Sequence, residues 1–183
     1  MKKWLIGSLV GAILVFSWQF LSWSMLGIHD AEAKYTPAQD SIMSHLSSVI
    51  KEEGMYRLPT LPPGSSMDDW EPFSKEMSGK PFATIVYKSA YEDGMTKPMI
   101  RGFLIDLVLV FLLIYILTRG ATPRPIRVVA GSVATGFFCW LLGPYTAHNW
   151  FQLPLEATTG HLIDAVVAWA LVGIWLGWWL NRK

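Results

Sequence analysis

Hydrophobic residues in this chain come in long blocks. Trp4 to Ile28, Val128 to Ala147 and Leu162 to Leu180 are nearly free of charge, and each is close to the ~20 residues that carry a helix across a bilayer. A fourth block, Gly102 to Thr118, holds one charge, Asp106. Between the first block and this one the pattern becomes amphipathic, as in a folded, water-facing unit. These features predict a mainly α protein: a four-transmembrane-helix bundle with a small α+β extracytoplasmic insertion between helices 1 and 2. The expected boundaries are helix 1 over 1–28, the insertion over 29–98, helix 2 over 99–118, a loop over 119–127, helix 3 over 128–148, a loop over 149–159, helix 4 over 160–180 and a tail over 181–183.

Within the insertion, Thr36 followed by Pro37 reads as an N-cap and first helical residue. Ile42, Met43, Leu46, Val49 and Ile50 recur at helical spacing, and Gly54 is placed to stop that helix. Met55 to Leu58 is a short extended run. Ser66 with Asp69 three residues on resembles a capping box, which predicts a second helix from Met67 to Ser78 ending at Gly79. Phe82 to Lys88, rich in β-branched and aromatic residues, is the best strand candidate, with the Tyr56 stretch as its partner. Two short helices and two strands make a marginal core. Trp70 is expected to fill it.

The basic residues set an expected orientation. Lys2, Lys3, Arg119, Arg124, Arg127, Arg182 and Lys183 all fall on one side of the four spans, which has no Asp or Glu. Short basic flanks stay cytoplasmic, so both termini are expected inside and the insertion outside, in the cytoplasmic (inner) membrane of a bacterium. Lys2-Lys3, an apolar run and Ala31-Glu32-Ala33 also imitate a cleaved signal peptide. The run is longer than the ~7 to 15 residues of a signal-peptide core, which favours an uncleaved signal anchor.

Composition narrows the possibilities further. The single cysteine, Cys139, excludes an internal disulfide, an Fe–S cluster or a cysteine-based zinc site within one chain, and mid-span it reads as an apolar filler. No basic arm, phosphate loop or finger spacing is present, so nucleic acid is not an expected partner. Of the ten tryptophans, Trp4, Trp23, Trp150, Trp178 and Trp179 lie near membrane boundaries, as an aromatic belt requires. Trp18, Trp140, Trp169 and Trp175 lie deeper, as space-fillers.

The order Gly54-Met55-Tyr56-Arg57-Leu58-Pro59, an acidic short helix, Gly79-Lys80-Pro81-Phe82 leading into a strand, and Gly94-Met95 before a span resembles a group of small bacterial four-span membrane proteins of unassigned function. The resemblance covers most of the chain. It implies the same topology and supplies no catalytic residues.

Two features of the spans carry candidate chemistry. Gly7 and Gly11 in helix 1, and Gly173 and Gly177 in helix 4, have GxxxG spacing; it suits either a homo-oligomer or partner interface, or packing within the bundle. Polar residues gather at the outer end: Arg101 and Asp106 in helix 2, Tyr145 and His148 ending helix 3, His161 and Asp164 on one face of helix 4, and His29 ending helix 1. Ionisable groups in a span are costly and need partners. Asp106 and Asp164 are therefore expected to face each other inside the bundle, with His161 or Arg101 in hydrogen-bonding reach. Such a cluster could bind a metal, relay protons or line a ligand pocket, or serve as a structural clasp. Its spacing matches no ligand motif, so neither a metal nor a cofactor is assigned and the catalytic residues stay unknown. The leading expectation is a non-enzymatic accessory or interaction subunit, with the lipid bilayer and a protein as its partners. A small membrane enzyme or redox component, and a transporter protomer, are the alternatives.

Overall fold

The computed structural model describes residues 2–120 and 123–182. In chain order its elements are α1 (Lys2–Ser24), α2 (Gln39–Val49), β1 (Gly54–Leu58), α3 (Met67–Met77), β2 (Ala83–Tyr87), α4 (Thr96–Leu117), α5 (Pro125–Trp140), a π-helical turn (Leu141–Tyr145), α6 (Thr146–Phe151) and α7 (Leu155–Asn181). They form two compact units, one made of the long helices with the chain up to Lys34, the other running from Tyr35 to Asp93.

Four helices are long and apolar enough to cross a membrane: α1, α4, the run from Pro125 to Phe151, and α7. The third run starts with proline at its first position, where the missing N–H has no helical partner to lose. Pro144 interrupts it for the same reason: it cannot donate, and the helix widens locally to π spacing. Thr146 Oγ1 takes up the carbonyl of Leu141 at 2.7 Å. Three of these runs extend beyond the boundaries expected from hydropathy, the third from Pro125 to Phe151 in place of 128–148. α4 begins at Thr96 and α7 at Leu155, so the expected 149–159 loop shrinks to residues 152–154, turned by Gln152 at φ 57°. Glu156, Thr158 and Thr159 lower the local hydropathy without ending the helix, and the Thr158 hydroxyl bonds back to the Leu155 carbonyl at 2.9 Å.

α1 packs against both α4 and α7, and α7 packs against α5. The core comprises Val15, Val110, Leu113, Ile114, Val128, Ala168, Trp169, Val172, Leu176 and Leu180. Small residues set the close approaches, because interhelical packing in an apolar solvent depends on van der Waals fit. A Cβ on Gly11 would lie 2.6 Å from Val110, one on Gly173 2.8 Å from the Val129 Cα, and one on Gly7 3.1 Å from Ile114 and Trp179. Gly177 sits over Pro125. All four glycines of the two GxxxG pairs thus face other helices of the same chain. α4 and α5 meet near Leu117 and Gly131.

Indole N–H groups tie the helices further. Trp175 donates to the Gly7 carbonyl (3.1 Å), Trp179 to Lys3 (2.7 Å) and Trp140 to Thr158 (3.0 Å). The deep tryptophans therefore do more than fill space. At the basic end the Arg182 guanidinium lies over Trp178 and Trp179. Trp23, Trp150 and Trp178 are exposed on the helical unit's surface.

The second unit pairs β1 with β2 antiparallel, Tyr56 opposite Ile85 and Met55 opposite Val86. Alternation turns Tyr56, Ile85 and Tyr87 inward and leaves Met55 and Val86 outward. α3 starts at the foreseen cap, where the Asp69 carboxylate accepts from the Ser66 backbone N–H at 2.8 Å. α2 differs from the expectation at both ends. It begins at Gln39, because Thr36 Oγ1 accepts from the Ala38 N–H in a local turn, and it ends at Val49; Gly54 instead opens β1. Trp70 is not in a core: it is 54% exposed and touches Phe73. The Ser89 N–H and hydroxyl donate to Glu53, closing the base of the hairpin and holding that carboxyl below its ordinary value.

Candidate functional site

In its last two turns α1 carries three polar side chains, Trp18, Gln19 and Ser22, on the side turned toward its neighbours. Trp18 and Ser22 are one turn apart and both reach α7: Trp18 Nε1 donates to Asp164 Oδ1 at 2.8 Å and Ser22 Oγ to the same oxygen at 2.6 Å. Gln19 points to α4, where its Nε2 donates to Asp106 Oδ1 at 3.3 Å. One stripe of α1 thus serves both aspartates, the buried Asp106 and the half-buried Asp164.

After Ser24 the chain turns through Gly27, whose φ of 62° is open to glycine without strain, and brings His29 back over the helix ends. The His29 ring is buried, stacked on Trp23 with centroids 3.8 Å apart. Its Nε2 lies 2.9 Å from Asp164 Oδ2 and 3.0 Å from Ser22 Oγ. Its Nδ1 faces Glu32 Oε1. His161 Nε2 approaches the same Glu32 oxygen at 3.3 Å. Gly160 permits this packing: a Cβ there would lie 2.8 Å from His29 Nδ1. His29, Glu32, His161 and Asp164 form one connected cluster, with side-chain exposures of 5, 22, 37 and 16%.

A cavity of about 200 Å³ adjoins the cluster, lined by residues of all four long helical runs and including Asp106, His161 and Asp164 together with Gln19, Cys139 and Trp169. A second of similar size is lined by Glu32 and His161 together with Pro144, Leu153 and Pro154. Cys139, read as an apolar filler, is exposed and lines the first cavity.

The expected outer-end cluster is thus partly assembled. Asp106 and Asp164 share a cavity, but their partners come from α1 and the turn after it: neither His161 nor Arg101 hydrogen-bonds to either carboxylate. Asp106 is 2% exposed and its Oδ2 has no hydrogen-bond partner among the described residues. Arg101 is exposed and makes no ion pair there. Tyr145 and His148 form a separate group with Trp140, and His148 Nδ1 is bonded to the Leu153 carbonyl at 2.6 Å. Sequence reading missed Glu32, which it took for part of a cleavage-like tripeptide, and placed His29 at the same end without assigning it to the site. The signal available was the His29-x-x-Glu32 spacing beside a polar stripe on α1.

The Tyr35–Asp93 unit offers a different feature. Tyr87 is its one buried hydrophobic residue, while Met43, Met55, Val86 and Tyr91 are 51, 61, 73 and 96% exposed. Met43, Val86 and Tyr91 line a groove of about 470 Å³ beside Lys88 and Glu92, and Met55 sits across the hairpin from Val86.

The fold and site define a multi-helix protein whose four longest helical runs suit a membrane, with a histidine–carboxylate cluster at one end and a small α+β insertion. Among known proteins, no family model, no curated protein and no solved structure matches the chain.

Proposed function

We propose that this is a non-enzymatic accessory or interaction subunit of a bacterial cytoplasmic membrane, with both termini inside, that presents the Tyr35–Asp93 unit to another protein outside. The observation that carries the reading is the exposed apolar surface made by Met43, Met55, Val86 and Tyr91 on a unit with a single buried hydrophobic side chain. A unit of this size gains little stability from its own core, and contiguous exposed apolar side chains mark interaction surfaces. Paired charges on α3, Lys75 with Glu71 at 2.7 Å, make a solvated face with which to compare it.

The test is site-specific photocrosslinking of the full chain in native membranes. A photoreactive residue at Val86 or Met55 is expected to give one protein adduct of defined mass, and one at Glu71 none. Absence of any protein adduct from the Val86 and Met55 positions would remove this reading.

A second reading, a membrane enzyme or cation-handling protein, is supported by one specific feature. Asp106 is buried beside a cavity with an unpartnered oxygen, and such groups in spans are often functional.

A further inference from the structure

We infer that His29 Nδ1, Glu32 Oε1 and His161 Nε2 form a three-ligand site for a divalent transition-metal ion of the zinc class, with Asp164 holding His29 from behind.

Hydrogen positions fix the tautomer of His29. Ser22 has one hydroxyl hydrogen, and it points to Asp164 Oδ1. The short approach of His29 Nε2 to Asp164 Oδ2 and Ser22 Oγ therefore needs the hydrogen on Nε2. With Nε2 as donor, Nδ1 turns its lone pair toward the Glu32 carboxylate. Two acceptors that face each other repel unless a cation or a further proton lies between them. A metal-binding histidine commonly gives its other ring N–H to a carboxylate, which sets the tautomer and the ring's direction, and Asp164 stands in that position.

The pair formed by the third ligand and Glu32 already has the spacing of two ligands on one ion. His161 Nε2 and Glu32 Oε1 are 3.3 Å apart, and tetrahedral zinc with bonds of ~2.0–2.2 Å places its ligands ~3.3–3.5 Å apart. All three ligand atoms lie within 4.8 Å of one another; His29 Nδ1 and Glu32 Oε1, now in direct contact, part to admit the ion while His29 and His161 converge on it. Two imidazoles and one carboxylate suit zinc or its neighbours, whereas calcium and magnesium want more oxygens. Three protein ligands leave a position open, and the cavity beside Glu32, His161 and Pro154 reaches it. A water or a small carboxylate could occupy that position.

The alternative is a protonated clasp, His29 between Asp164 and Glu32 with no metal affinity. The test uses full-length protein in mild detergent, stripped with chelator, titrated with Zn²⁺ by calorimetry and with Co²⁺ by visible absorption. One Zn²⁺ per chain is expected, together with the intense bands of four- or five-coordinate Co²⁺. Glu32→Gln and His161→Gln should each weaken binding at least 100-fold. Asp164→Asn should weaken it ~10–100-fold, the range for second partners of ligands. His148→Gln, outside the cluster, should leave it unchanged. Circular dichroism and elution volume establish that each variant is folded. The half-exposed His161 makes its variant the safer one should Glu32→Gln misfold. Failure of the wild type to bind one equivalent, a weak octahedral Co²⁺ spectrum, or wild-type affinity in folded His161→Gln would each overturn the site.

Discussion

Asp164 and Asp106 show how two aspartates at comparable depth can stand in opposite conditions. Asp164 accepts from Trp18, Ser22 and His29, so its carboxylate is a hub joining α1, the turn after it and α7. Replacing it with asparagine keeps Oδ1 but removes the negative charge that strengthens the bonds from Trp18, Ser22 and His29, at a cost of about 1–3 kcal/mol. Asp106 has one partner, Gln19, and one oxygen without any. Burying an incompletely hydrogen-bonded carboxylate carries a desolvation cost that the neutral amide largely avoids. In denaturation of the detergent-solubilised protein followed by helical signal, Asp164→Asn is therefore expected to lower the midpoint and Asp106→Asn to leave it unchanged or raise it. An equal loss in both variants would show that Asp106 is as much a clasp as Asp164.

At the scale of elements, the helices are held by how closely their backbones approach. Gly136 on α5 is the tightest case: a Cβ would meet the Ala165 carbonyl at 2.3 Å and Trp169 Cδ1 at 2.4 Å, and a carbonyl cannot rotate away. Gly102 on α4 has nothing within 4 Å. Gly136→Ala should force α5 from α7 and destabilise by about 1–3 kcal/mol, as overpacking does, while Gly102→Ala should be neutral or stabilise by up to ~1 kcal/mol through helix propensity. The same denaturation measurement checks both. The elements themselves were legible in the sequence because their signals are local: ~20-residue apolar runs, a Ser66–Asp69 cap, and β-branched residues from Thr84 to Val86. The site was legible only in depth. Counting residues from the helix ends places Asp106, Asp164, Arg101, Tyr145 and His148 at one end of the bundle, but direction around each helix axis depends on packing. That separates Arg101, Tyr145 and His148 from the cluster. Glu32 lies outside any span, and His29 meets Asp164 across 135 positions of sequence, so no local pattern announces their meeting.

For the whole molecule, the fate of the N-terminal segment decides how much of this arrangement the working protein keeps. Cleavage after Ala33 would remove α1, which packs on both α4 and α7 and supplies Trp18, Gln19 and Ser22 to the aspartates. It would also remove His29 and Glu32 and leave Asp164 without the three donors it now has. A bundle of α4, α5, α6 and α7 alone would expose Val110 and Ile114 where Gly11 and Gly7 now cover them. Retention of residues 1–33 is therefore the expected outcome, and intact-mass measurement of protein purified from membranes checks it; a mature chain beginning at Lys34 would refute it. Retention also fixes the parity of the crossings. With α1 kept as a span and seven basic residues against no acidic one at the end that carries Lys2, Arg119, Arg124 and Arg182, reporters fused after Lys183 and between Arg119 and Arg127 should read cytoplasmic, and one at Gly64 should read extracytoplasmic. Because the two measurements are independent, an intact N-terminus with the Gly64 and C-terminal reporters both outside would mean that one of the three helical runs after Gly64 lies in the membrane without crossing it. The run broken at Pro144 would be the first to examine.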